Sequence, residues 1–549
     1  MCKQVVTTMS DGFFREARTL RHWIASIIVG IEFFLLIAVY VIFIFTDRVP
    51  LVGLISVGLL WITGWWATGR LKATTPMDMP ILSILVMATV SLYVSLERSL
   101  SQPKFYGVIL GVAVFYTVVN ATRTVRGVQF AAIALVLASA AVVILGLAGA
   151  GIYWENPKLF SLPQVYGNLP KLIRGIPRSL DGGFPPNGVG GTLVFLIPVL
   201  LSLLWNSRLT TRIQGASDSR LLQIWQVWYQ PILVLSLILT TFTLALTQSR
   251  GSFIAISVGL LVLATWYNRR ALWAVPTIAL ILFALFKSNV GAQLTQYVLH
   301  SDPWAVQHRG EIWQKAIRMI QDFPHTGVGM GTFNTAVNTM YPFPINWPYT
   351  PVTDAHNELL QVAVDLGIPG LVGYVALLTT FAVTTWRAYH ALDDRWLRAL
   401  IVGLACGMLA HQVFGLTDAF LLGTKPGVVM WVFMGLIAAL YVHRDSIARE
   451  LSGNEGAEAG REGGNGLESV SGGEASGGWR SGWPGTFLLA FGCWAVFSLL
   501  AIAIVGDQPY LGLAIALAGG VILGFVCMKR FEPKLEEGPN GTDGPGGAI

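Results

Sequence analysis

The chain has 549 residues, of which 54% are hydrophobic and 12% are charged, with a mean hydropathy of +0.61. So few charges cannot cover a soluble protein of this length, so the composition excludes a water-soluble globular fold and implies a polytopic membrane protein. The net charge of +6 fits basic loops at one membrane face and calls for no nucleic acid.

Residues 1–23 are polar, carry no cleavable signal pattern and read as a cytoplasmic N-terminal segment. About 14 hydrophobic segments long enough to span then follow. They lie near 24–45, 51–69, 78–96, 105–120, 128–152, 188–205, 228–247, 251–267, 271–287, 368–386, 397–417, 427–443, 485–505 and 509–528. A membrane core over 24–445 contains two long loops, 154–187 and 288–366. Residues 446–484 are rich in Gly, Glu and Ser and read as a disordered linker. An appended two-helix hairpin, 485–528, and a cytoplasmic tail, 529–549, complete the chain. Cys2, Cys406, Cys493 and Cys527 are scattered, with no CxxC or Cys/His cluster to suggest zinc or a disulfide framework.

Lys and Arg set the orientation. With a cytoplasmic N-terminus, alternate connections carry Arg70 and Lys72, then Arg123 and Arg126, then Arg208, Arg212 and Arg220. The next hold Arg269 and Arg270, then Arg387, Arg395 and Arg398, then Arg444 and Arg449. The opposite short connections hold Arg48, Arg98, Lys104, Arg250 and Lys425. Both termini are therefore expected inside and both long loops outside, where ATP and nucleotide sugars are absent.

Gln248-Ser249-Arg250-Gly251 forms the tip of a helical hairpin between the spans at 228–247 and 251–267. A charge between two apolar runs needs an anionic partner or water, which makes Arg250 a candidate functional residue. In the second long loop, RGEIWQKAIRMI places Ile312, Trp313, Ala316, Ile317 and Ile320 at helical spacing, with Arg309 at the helix's N-terminal end. Gly327, Gly329 and Gly331 then permit a tight turn, read as structural ahead of a phosphate cradle. Thr353 or Asp354 is expected to cap a helix through HNELLQVAVDLG, with His356 in its first turn and a stop at Gly367–Gly370. The helix dipole disfavours imidazolium there, whereas Asp354 and Glu358 favour it. Asn187 follows Pro186 where a turn can cap the sixth span. His411 and Asp418, seven residues apart in the eleventh span, share a helical face, with structural hydrogen bonding placed ahead of a ligand role.

QSRG, FPPNGVGGTL, HRGEIWQKA with FPHTGVGMGTF, and DAHNELLQVAVDLGIPG together resemble the O-antigen ligase family. Its superfamily also holds O-antigen polymerases and bacterial O-linked oligosaccharyltransferases. The resemblance covers about residues 180–445 and leaves out the C-terminal hairpin, whose removal with 451–549 is expected to spare activity if it is an accessory. It implies an all-α polytopic membrane enzyme with a glycosyltransferase C-like core and a long extracytoplasmic helical loop. It implies no metal and no cofactor. The donor would be an undecaprenyl-diphosphate-linked glycan, the acceptor a lipid or glycan hydroxyl, and the setting the lipid of the cytoplasmic (inner) membrane.

By that resemblance, Arg250 and Arg309 match the arginines that bind the donor diphosphate, and His356 matches the histidine that activates the acceptor hydroxyl. The chemistry agrees, because guanidinium forks suit phosphate oxygens and a neutral imidazole can take the hydroxyl proton. Direct attack on the anomeric carbon inverts it. Asp354 or Glu358 is a candidate to orient His356, and Asn187, His411 and Asp418 are further supporting candidates. Lys171, Arg174, Lys315 and Arg318 can add to the anion-attracting field, with solvated surface as their first reading. A polymerase of the same superfamily and a membrane transporter of the bicarbonate type stand as alternatives.

Overall fold

The computed structural model describes residues 31–44, 49–68, 73–149, 186–206, 220–277, 303–343, 352–452 and 483–529, apart from 33, 275 and 421. The expectations for residues 1–23, most of loop 154–187, the bulk of the span at 271–287, the linker over 453–482 and the end of the tail lie outside these residues. So do Lys171 and Arg174.

Every described regular element is helical, with no strand among them. In chain order they are α1 (Phe34–Ile44), α2 (Leu51–Thr68), α3 (Asp78–Val94), α4 (Arg98–Ala121), α5 (Val125–Gly149), α6 (Pro186–Trp205), α7 (Arg220–Thr247) and α8 (Arg250–Tyr267). After a 3-10 turn, Arg269–Trp273, come α9 (Pro303–Asp322), α10 (Phe333–Met340), α11 (Glu358–Ala391), α12 (Arg395–Gly415), α13 (Gly427–Val442) and α14 (Arg444–Ser452). The last two are α15 (Trp483–Val505) and α16 (Pro509–Lys529). Nine of the described helices are long and apolar enough to cross a membrane, or ten if the bent pair α13–α14 is one span. The chain is a multi-pass membrane protein.

Helix α11 lies at the centre. It packs on α3, α13, α15, α16 and α9, while α12 packs on α6 and α8 and α4 packs on α13. Small residues allow the closest approaches: a Cβ on Gly407 would lie 2.2 Å from the Phe195 carbonyl, and one on Gly111 2.1 Å from the Trp431 ring. Dispersion between closely packed backbones is what holds helices together where lipid is as apolar as leucine.

One boundary differs from the sequence expectation. Asn357, rather than Thr353 or Asp354, caps α11 by accepting from the Leu360 N–H at 3.1 Å. His356 therefore precedes the helix instead of sitting in its first turn, and its backbone is left-handed at φ 47°. The stop expected at Gly367–Gly370 is present: the helix from Asn357 breaks direction at Gly367 (φ 71°, ψ −179°), and the chain resumes as the span.

That break is held by the glycine-rich turn after α9. Ile368 N donates to Pro324 O at 2.8 Å, and Val328 N to Val364 O at 2.8 Å. A Cβ on Gly327 would sit 2.4 Å from the Val364 carbonyl, so the turn's positive φ values serve packing. Helix α9 buries Ile312, Ala316, Met319 and Ile320 and turns Gln314 and Arg318 outward, in keeping with its sequence period. It begins at Pro303, however, which moves Arg309 from the helix end into its second turn.

Candidate functional site

The N-terminal ends of α6, α8 and α11 meet the C-terminal end of α12 at one end of the bundle. Arg250 opens α8, directly after the cap Ser249, whose side chain accepts from Ser252 N at 3.4 Å. Its neighbour Gly251 lies against the turn after α12: a Cβ there would be 2.3 Å from Thr417 Oγ1. The N-terminal end of the α8 dipole adds positive potential beside the guanidinium.

The sequence put Asp418 inside the eleventh span on one face with His411. Helix α12 instead ends at Gly415, and Asp418 lies in a turn closed by Thr417 N and Asp418 N bonding to Phe414 O. This exit separates the two residues. His411 is fully buried, stacks on Phe195 at 4.0 Å between ring centroids, and faces the Gly191 carbonyl with Nδ1 at 2.7 Å. Asp418 turns toward His356 and Asn187. Asn187 lies inside α6 and does not cap it; its Nδ2 donates to Asp418 Oδ2 at 2.9 Å.

His356 Nδ1 lies 3.3 Å from Asp418 Oδ1 and 3.3 Å from Asp354 Oδ1. An ionised carboxylate only accepts hydrogen bonds, so Nδ1 carries the proton and leaves Nε2 as the acceptor nitrogen. Burial disfavours the charged ring, but the hydrogen bond that it donates to Asp418 and the charges of Asp354 and Asp418 outweigh burial and the opposing charge of Arg309. The net result is a raised pKa for His356. Its left-handed backbone is fixed by its own N–H, which donates to Asp354 Oδ1 at 2.9 Å. Gln248, beside Ser249 and Arg250, is also left-handed at φ 50°. Two non-glycine residues in this sparsely populated region both flank the cluster, a concentration of backbone strain typical of functional sites.

Arg309 reaches the same region through α9. Trp313, one turn further along the same face, donates from Nε1 to Ala355 O at 3.1 Å, docking the helix on the residue next to His356. Lys315 instead donates to Pro342 O and lies over the Phe343 ring, while Arg318 is exposed. Glu358 is buried against Gly415, where a glycine Cβ would lie 3.1 Å from its own Cβ. It lines a narrow pocket with Lys104, Gln361 and Asp365. This pocket went unread in the sequence, although Glu358, Gln361 and Asp365 fall at i, i+3 and i+7 on one face.

Asp354, His356 and Asp418 offer three donor atoms within 4.8 Å of one another, a geometry that could hold a metal ion. Their carboxylate oxygens already accept from His356 N, Thr353 Oγ1, Ala419 N and Asn187 Nδ2. That pattern fits carboxylates that orient an imidazole.

Residues 235–375 match the family model described as O-Antigen ligase. The resemblance to the O-antigen ligase family is shown over this stretch. No protein of curated function matches the chain. The O-antigen ligase match contains Arg250, Arg309, Asp354, His356 and Glu358, and it ends before His411 and Asp418. It is narrower than the 180–445 expected from the motifs.

Proposed function

We propose that the chain is a membrane glycosyltransferase that moves a glycan from an undecaprenyl-diphosphate carrier to a hydroxyl of a lipid or glycan acceptor. The observation that carries this reading is the carboxylate-held His356, docked beside the Arg309 helix and at the same bundle end as Arg250, within the stretch that matches O-Antigen ligase. The acceptor oxygen forms a bond to the anomeric carbon and gives its proton to His356 Nε2. The bond from that carbon to the diphosphate breaks, and the electron pair leaves with the carrier. Arg250 and Arg309 bind the diphosphate and stabilise the charge that grows on it. One displacement with no second nucleophile inverts the anomeric centre. No metal takes part.

The outer face of the cytoplasmic membrane is the proposed location. Arg123, Arg269, Arg387, Arg398 and Arg444 lie at or beyond the helix ends opposite the cluster, which supports an outer position for the cluster by the basic-loop rule. A transporter would hold its polar groups near mid-membrane on paired repeats, so the position of this cluster at the helix ends favours the transferase. The test is an assay of the purified protein with lipid-linked glycan. Transfer to a separate acceptor identifies a ligase, elongation on the lipid carrier a polymerase, and no transfer sinks the proposal.

A further inference from the structure

The C-terminal hairpin, beyond the matched stretch, touches both helices that serve the site. Helix α16 lies along α11 on a glycine face: a Cβ on Gly520 would be 2.5 Å from Val375 Cβ, and one on Gly524 would be 2.6 Å from Thr379 Cβ. Leu523, Cys527 and Met528 are buried in the same core as Val362, Leu366 and Leu371 of α11. Two polar contacts are more pointed. Trp494 of α15 donates from Nε1 to Pro369 O at 2.9 Å, two residues past the break at Gly367. Gly506, in the α15–α16 turn, accepts from Gln321 Nε2 in the last turn of α9 at 2.8 Å. The break is thus gripped on one side by the Pro324–Val328 turn and on the other by the hairpin.

We infer that this hairpin is a clamp for the site, with Trp494 as a positioning residue that fixes the broken start of α11, and hence the His356 loop, against α9. The catalytic part of this inference rests on the proposed transferase reading. A rigid span cannot by itself set the direction of Glu358–Leu366, because the backbone turns at Gly367. Contacts at the break set it instead, and small displacements of a catalytic base are costly in rate. On this inference the hairpin is no accessory, and its removal should not spare activity.

The test uses the full chain in lipid nanodiscs with Trp494→Phe, which removes the indole N–H and leaves a smaller aromatic ring, and separately with Gln321→Ala. Amide exchange is followed by mass spectrometry, and transfer is measured with undecaprenyl-diphosphate-linked glycan. Both variants are expected to keep normal yield and slow exchange in Arg395–Gly415. Exchange across 356–368 should quicken by about tenfold or more. Trp494→Phe should also lower kcat about tenfold while KM for the donor holds. Unchanged exchange across 356–368 in both variants overturns the clamp. Faster exchange with unchanged kcat overturns the positioning role of Trp494. If the unaltered chain transfers nothing, the transferase reading fails by itself, and the exchange experiment still decides the clamp.

Discussion

His356 Nδ1 and Asp418 Oδ1 lie 3.3 Å apart across 62 residues of chain. The contact joins the loop before α11 to the turn after α12, and it selects the tautomer that leaves Nε2 to receive a proton. A base acts in its neutral form. Because the pKa of His356 is raised, the rate should climb with pH through a value above the usual 6.5 or so. Asp418→Asn removes the hydrogen-bonding carboxylate and one negative charge, so the rising limb should move to lower pH. The plateau should also fall, by roughly 100-fold or more, because the amide no longer enforces the tautomer. A pH–rate profile reads both effects, and an unmoved limb would exclude the pairing from the reaction.

The sign for stability follows from the same shift. The pair stabilises the folded state fully below about pH 6.5, and the contribution fades as pH rises through the raised value. The Tm difference between the unaltered chain and Asp418→Asn should therefore be widest at mildly acidic pH and should shrink toward pH 9.

Arg250→Ala and Arg309→Ala should each lower transfer by roughly 100-fold to 1,000-fold while membrane insertion is retained. Lysine should restore only part of the loss at either position, since an ammonium cannot reproduce the guanidinium fork. For the base, His356→Asn is preferable to alanine because asparagine tolerates the left-handed backbone. It should abolish transfer in a protein that purifies normally. Full activity in that variant would remove His356 from the mechanism.

Gly251→Ala tests the seam between Arg250 and the Asp418 turn. The added methyl would lie 2.3 Å from Thr417 Oγ1, and that hydroxyl is tied to Phe414 O at 2.9 Å. Overpacking should destabilise the protein by about 1–3 kcal/mol. Transfer should drop by about tenfold or more as the turn shifts, measured under conditions where the variant is still folded.

Chelation addresses the Asp354–His356–Asp418 geometry directly. Transfer should withstand EDTA and gain nothing from added Mg²⁺ or Mn²⁺. Loss on chelation with recovery on metal return would assign those three donors to an ion.

Much of this arrangement is local and therefore legible in the sequence. The helix–turn–helix at Gln248–Arg250 follows from two apolar runs with a polar break, and the α9 face follows from its 3.6-residue period. What the sequence hides is set by contacts made elsewhere. Thr353, Asp354 and Asn357 are all good cap residues, and only the left-handed bend at His356 decides for Asn357. The seven-residue spacing of His411 and Asp418 suggests one helix, but the chain leaves α12 at Gly415, where backbone bonds at Leu416–Asp418 close a turn. The docking of α16 on α11 depends on glycines whose neighbours lie far away in the chain, so no window of sequence records it.

The break at Gly367 also bears on how the protein enters its membrane. Glu358 and Asp365 are buried, yet both precede the break, and the segment after it, from Ile368 through Trp386, carries no charged residue. The insertion machinery can therefore recognise a wholly uncharged span that begins at the bend. A continuous helix from Glu358 would ask two carboxylates to partition with it, each at about 2.5–3.5 kcal/mol if carried to the bilayer centre. The bend lets acidic chemistry border the lipid without being threaded through it.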